Sequence, residues 1–174
     1  LFCKPPRDSL PHPYACLVTG ITPQRTERLG VIEREFAQRV HDEMMEPQTC
    51  AVGYNNFNFD DEVSRHLFYR NFLDVYGREF RNGNSRFDLI NLTRMCFALR
   101  PQGIEWPLHE SGRPSFRLED LTAANDIEHK GAHDALVDVR ATIALARLLR
   151  DRQPRLWNWA LALRNRETVR DLLD

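Results

Sequence analysis

The spacing of apolar residues changes along this 174-residue chain, and each spacing predicts a different element. Thr22-Pro23 offers an N-cap followed by proline at the first helical position. It opens a helical region that carries Phe36, Val40 and Met44 at a four-residue interval, interrupted at Gly30. Thr49-Cys50-Ala51-Val52-Gly53-Tyr54 is a short apolar run between Pro47 and Asn55, which suits a buried parallel strand better than a helix. From Asp60 the helical interval resumes, with Val63, Leu67, Phe68 and Phe72 expected to face inward. The Arg81-Asn82-Gly83-Asn84 turn ends that region. Helices are then expected from Asp88 to Leu99, from Ser115 to about Ala124, and from Asp134 to about Arg150. A last one starts near Pro154, with Leu156, Trp159, Ala160 and Leu163 on one side. Between Arg100 and Pro114 the residues Pro101, Gly103, Pro107, Gly112 and Pro114 impose an irregular surface excursion.

Strand-then-helix alternation implies an α/β domain whose parallel strands deliver ligands at their C-terminal ends. Here that end delivers Asn56 and Asp60. The length fits one domain, and the net charge of −1 hides an uneven distribution. Between positions 139 and 170, Arg140, Arg147, Arg150, Arg152, Arg155, Arg164, Arg166 and Arg170 face only Asp151 and Glu167. Such a region suits a polyanion, although a solvated helix face would carry the same residues. Cys3, Cys16, Cys50 and Cys96 show no C-x-x-C spacing, so reduced core thiols and a cytoplasmic location are expected. No apolar run approaches the roughly 18 residues of a membrane span.

The chemistry concentrates in Ala132-His133-Asp134-Ala135-Leu136-Val137-Asp138. Asp134 is a good N-cap, which leaves His133 on the entering loop and Asp138 in the first turns of the helix. A carboxylate for a hard divalent cation beside an imidazole able to take a proton from water is the equipment of a metal-dependent hydrolase. Asp60 and Asp61 are both candidates for capping the earlier helix, so that one caps while the other faces the cation. Asp88 reads as a helix cap. Arg117 falls in a first turn, where amides and guanidinium together hold a phosphate; a salt bridge to Glu119 or Asp120 is the alternative.

These segments resemble the DEDD superfamily of 3′→5′ exonucleases, in its histidine branch. His133, Ala135 and Asp138 match H-x-A-x-x-D, and Asn56, Phe59 and Asp60 match N-x-x-F-D. Val18-Thr19-Gly20-Ile21-Thr22-Pro23 and Asp88-Leu89-Ile90-Asn91-Leu92-Thr93-Arg94 resemble two further family segments, in the same order. The bacterial deoxyribonuclease branch is nearest in wording, through Gly53-Tyr54-Asn55-Asn56, Phe68-Tyr69-Arg70-Asn71-Phe72, Pro114-Ser115-Phe116-Arg117-Leu118-Glu119 and Arg152-Gln153-Pro154-Arg155-Leu156.

The resemblance implies a ribonuclease H-like α/β fold, a mixed sheet flanked by helices, and release of 5′-mononucleotides with the help of two Mg²⁺ or Mn²⁺ ions. It implies His133 as general base, Asp60 and Asp138 as metal ligands, and Arg65, Arg94, Arg117 and Trp159 as substrate contacts, Trp159 by stacking on a base. Trp159 also fits its helix's inward stripe, and Tyr54 and Phe57 suit either terminal bases or strand-end packing. Single-stranded DNA and single-stranded-DNA-binding protein are the implied partners of a monomer; a ribonuclease or a catalytically inactive binding module are the alternatives. The family also places a D-x-E on its first strand, whereas Asp60-Asp61-Glu62 lies at a helix start. Residues 1–174 are therefore expected to form an exonuclease domain lacking its first strands, inactive alone, with further domains downstream.

Overall fold

The computed structural model describes residues 1–129 and 135–174. In chain order its elements are α1 (Pro13–Thr19), α2 (Pro23–Leu29), α3 (Glu33–Met45), β1 (Cys50–Gly53), α4 (Asp60–Arg70), β2 (Ser85–Asp88), α5 (Leu89–Leu99), α6 (Leu118–Ala124), α7 (Ala135–Arg152), α8 (Pro154–Ala162) and α9 (Arg166–Leu173). The Thr22 hydroxyl caps α2 by accepting the Arg25 N–H at 3.2 Å, as its sequence position predicts. Helix α2 stops at Gly30 because the chain there turns to pair with its own beginning: the Lys4 N–H donates to Val31 O and the Val31 N–H to Phe2 O. A β-carbon at Gly30 would sit 2.4 Å from Thr26 O.

β1 and β2 pair in parallel, with Cys50 opposite Ser85 and Gly53 opposite Asp88. The principal core joins Phe87 of β2 to Leu89, Leu92 and Cys96 of α5, Leu121 of α6, Leu145 and Leu149 of α7, and Ala160 of α8. Ala141, Leu145 and Leu149 are fully buried, which is the four-residue stripe of a helix packed along its length. Full burial of each leucine is worth about 1.5–3 kcal/mol. A smaller core between α3 and α4 holds Ala37, Leu67 and Phe68. At the far end of α7, Gln153 Nε2 donates to Gln102 O at 2.7 Å, and Arg152 lies against Gly103. The C-terminal ends of α5 and α7 therefore meet, and both helices begin at the end where β1 and β2 finish.

Several expectations need correction. Val52 is half exposed, so β1 is not buried on both faces. Val63 is exposed and Phe72 is 97% exposed. Phe72 lies beyond the end of α4 in a left-handed conformation, φ 57°, so helical spacing no longer places it. Trp159 is also half exposed; Trp157 instead meets Phe87 edge-on at 6.1 Å. Helix α6 begins at Leu118, with Arg117 at its cap position rather than in its first turn. A second D-x-E, Asp126-Ile127-Glu128, comes after α6 with Asp126 at φ 55°, and so lies on no leading strand. α1, β2 and α9 are additions to the elements that apolar spacing predicts.

Candidate active site

Because Gly53 and Asp88 are paired, the two strands end side by side, and the site is built on the segments that leave those ends. The chain leaves β1 through Asn55, at φ 62°, into the loop that carries Asn56 and Asp60. The buried Asp88 carboxylate holds that loop in place. Its Oδ1 accepts the Asn55 N–H at 2.8 Å and its Oδ2 accepts the Phe57 N–H at 3.2 Å, while Oδ1 also caps α5 through the Ile90 N–H at 3.1 Å. One side chain thus satisfies amides at a helix start and at a strand exit. The capping role read from sequence holds, and the organising role adds to it.

Of the two adjacent carboxylates at the start of α4, Asp60 and Asp61, only one faces outward. Asp61 is buried, with Oδ1 accepting from Arg78 Nη2 at 2.9 Å and Oδ2 from Arg86 Nη1 at 2.7 Å. Arg86 also reaches Glu79 at 3.1 Å. These pairs turn Asp61 inward against β2, and successive helical residues are rotated by roughly 100°, so Asp60 is presented to solvent. Neither aspartate caps α4: the cap position is Phe59, with no side-chain cap bond. Partial burial pushes the Asp60 carboxyl up, and the neighbouring Asp61 and Asp88 push it further. An anion crowded by its surroundings gains from a cation.

Asp138 lies in the first turn of α7, half exposed, with Oδ1 2.7 Å from Nε2 of His129. Nδ1 of that ring is 3.1 Å from the Thr122 hydroxyl of α6. His133, the expected general base, lies outside the described residues. The bond between His129 and Asp138 ties together the chain before and after the segment that carries it.

The expected substrate contacts divide. Tyr54, at the end of β1, donates its hydroxyl to Phe116 O at 2.7 Å, and burial pushes its phenol up. Arg94 lies over the Phe116 ring at 6.0 Å, and Arg117 is next in sequence, exposed and 3.9 Å from Glu119. Arg94 and Arg117 thus share one surface, tied to the strand end by Tyr54. Arg65 is engaged elsewhere. Its Nε and Nη2 donate to Glu79 at 2.9 and 3.0 Å, and its Nη1 to Glu62, which ties three of its five N–H donors into the fold. Trp159 lines a hollow with Leu99, Arg100, Pro154 and Leu156, away from these carboxylates. Phe57 packs under Arg86, whose guanidinium carbon is 4.8 Å from the ring centroid.

Oxygen-only donors suit a hard divalent ion. The outward Asp60 carboxyl, the Asp138 carboxylate and the buried, unpartnered Asn56 Oδ1 are of that kind, although no cluster of three or more ligating side chains forms among the described residues. Sequence reasoning missed His129 and the pair Arg78 and Arg86. No local periodicity marks them, because their partners lie nine to twenty-five residues away.

The exonuclease family model RNase_T matches residues 1–146. Exodeoxyribonuclease I of Escherichia coli (strain K12) is 53% identical over 173 residues, covering 99% of this chain and 36% of that protein. The Haemophilus influenzae exodeoxyribonuclease I is 50% identical, covering 99% and 37%. The chain thus spans little more than a third of the length of these curated relatives. A solved exonuclease I superposes with a TM-score of 0.94 at 52% identity, covering all of this chain and 37% of that one. E. coli exonuclease I in complex with a dA16 oligonucleotide gives 0.91 at 52%, covering 99% and 37%. A complex of exonuclease I with SSB-Ct gives 0.90 at 52%, with the same coverage. The superposition establishes the ribonuclease H-like α/β fold, of which β1 and β2 are the described strands.

Proposed function

The chain belongs to the RNase_T exonuclease family, and from that membership we propose that it acts in 3′→5′ hydrolysis of single-stranded DNA, releasing 5′-mononucleotides. The observation that carries this reading is the 53% identity to an exodeoxyribonuclease I across 99% of the chain. The oligonucleotide held by a relative of the same fold supports the choice of DNA. Residues 1–174 act as the exonuclease domain.

Asp60 and Asp138 hold Mg²⁺ or Mn²⁺. When bound, the ions supply positive charge that polarises the scissile phosphate and stabilises the leaving 3′ oxygen. His133 takes the proton of the attacking water. Asp88 and the Asp61 ion pairs set the direction of Asp60, and Arg94 and Arg117 hold the strand by its phosphates. The relative's complex with SSB-Ct supports single-stranded-DNA-binding protein as a partner of a monomeric, cytoplasmic enzyme acting in DNA repair and recombination. Among the described residues no helix is long and apolar enough to cross a membrane.

The test is side-by-side digestion of 3′-labelled single-stranded DNA, single-stranded RNA and duplex DNA by the full-length protein, with and without EDTA. Chelator-sensitive release of labelled 5′-mononucleotides from single-stranded DNA first supports the proposal. Preferential digestion of RNA would make the protein a ribonuclease of the family, and binding without digestion would make it an inactive module.

A further inference from the structure

We propose that His129 is a positioning residue for Asp138, holding that carboxylate in the orientation in which it meets a divalent cation; this rests on the reading of Asp138 as a metal ligand. His129 belongs to no motif that carries the resemblance. Its side chain is 6% exposed, yet its partner is a half-exposed carboxylate at the start of α7. A carboxylate only accepts hydrogen bonds, so Nε2 carries the proton and donates it to Oδ1 at 2.7 Å. On the far side of the ring, Nδ1 is 3.1 Å from the Thr122 hydroxyl. Thr122 is itself fully buried, with its hydroxyl 2.8 Å from Leu118 O inside α6. Asp138 is therefore braced through a chain of contacts that ends in a rigid helix backbone.

Fastening α6 to α7 is a weak explanation for this arrangement. Leu121 and Leu145 already join the two helices in the core. The distinctive effect of the buried ring is to fix the direction of one oxygen of that carboxylate. Hydrogen bonds to metal-binding side chains typically govern metal affinity or activity by about 10–100-fold.

The experiment measures Mn²⁺ binding to the full-length protein by electron paramagnetic resonance of the free ion, alongside thermal unfolding and the Mg²⁺ concentration giving half-maximal digestion. His129→Leu is expected to weaken Mn²⁺ binding by about 10–100-fold and to raise the half-maximal Mg²⁺ concentration similarly, with digestion recovering at high Mg²⁺. His129→Gln, whose amide reaches to nearly the place of Nε2, is expected to restore most of the affinity. It also serves as the folded variant should His129→Leu fail to fold. Unchanged Mn²⁺ affinity in His129→Leu, or in a folded His129→Gln no better than Asp138→Asn, would overturn the positioning role while leaving Asp138 as a ligand. Unchanged affinity in Asp138→Asn would overturn the metal reading, and the proposal with it.

Discussion

Replacing Asp88 should disturb the fold and the site together, by an amount that can be worked from its bonds. Its carboxylate accepts backbone N–H groups from Asn55, Phe57 and Ile90 at 2.8, 3.2 and 3.1 Å, and it is 3% exposed, so water cannot take over its role. Loss of an N-cap costs about 1 kcal/mol, and each further bond to a charged group at least roughly 1.5 kcal/mol. Asp88→Ala should therefore cost about 4 kcal/mol, much of the stability of an ordinary domain. Asp88→Asn is the more telling variant. Asparagine caps as well as aspartate, but its amide nitrogen would face a backbone N–H, donor to donor, and forfeit about 1.5 kcal/mol. Urea unfolding at constant m-value reads the loss directly. Folded Asp88→Asn should also bind Mn²⁺ less well, because the loop leading to Asp60 is no longer held at the end of β1. A loss under about 0.5 kcal/mol, with Mn²⁺ binding unchanged, would refute the claim that Asp88 organises both segments.

Other consequences are equally direct. His133→Ala should lower turnover by roughly 10²–10⁴ while Mn²⁺ affinity, measured in parallel, stays the same; loss of both would make the histidine a ligand rather than a base. Arg94→Ala and Arg117→Ala should each weaken single-stranded DNA binding and reduce the salt slope by about 0.7 per contact. Arg65→Ala should leave that slope alone and destabilise by up to about 3 kcal/mol, because nearly buried Glu79 loses a partner. Glu33 is held below the usual glutamate range first by the Arg70 hydrogen bonds and then by the Asn71 amide. Its lowered folded value means that it stabilises above the ordinary value near 4.5, and that this is lost as pH falls through the folded value. The pair is more than a third exposed, so the acid-side difference between wild type and Glu33→Gln in thermal unfolding should correspond to under about 1 kcal/mol.

The legible part of the chain is local. The Thr22 cap, β1, α5 with its Asp88 cap, and α7 depend largely on residues within a turn or two of one another. The errors arise where distant partners decide. Helix spacing turns Val63 and Phe72 inward, but Asp61 is drawn inward by Arg78 and Arg86, and the helix ends before Phe72 is reached. Ser85-Arg86-Phe87-Asp88 is too short and too polar to announce a strand; pairing with β1 makes it one. His129 carries no local signature, since its meaning comes from Thr122 on one side and Asp138 on the other.

The most direct test of the account removes both proposed ligands at once. Asp60→Asn/Asp138→Asn keeps each side chain's shape while withdrawing two negative charges, and asparagine at 138 still offers an oxygen to His129. Release of 5′-mononucleotides from 3′-labelled single-stranded DNA is monitored in the full-length protein across a Mg²⁺ titration, with Mn²⁺ binding measured on the same samples. The account predicts a folded protein that no longer binds Mn²⁺ measurably and shows no digestion at any Mg²⁺ concentration. Chelator-sensitive digestion near the wild-type rate by that double variant would contradict it, and would place the metal site on other residues.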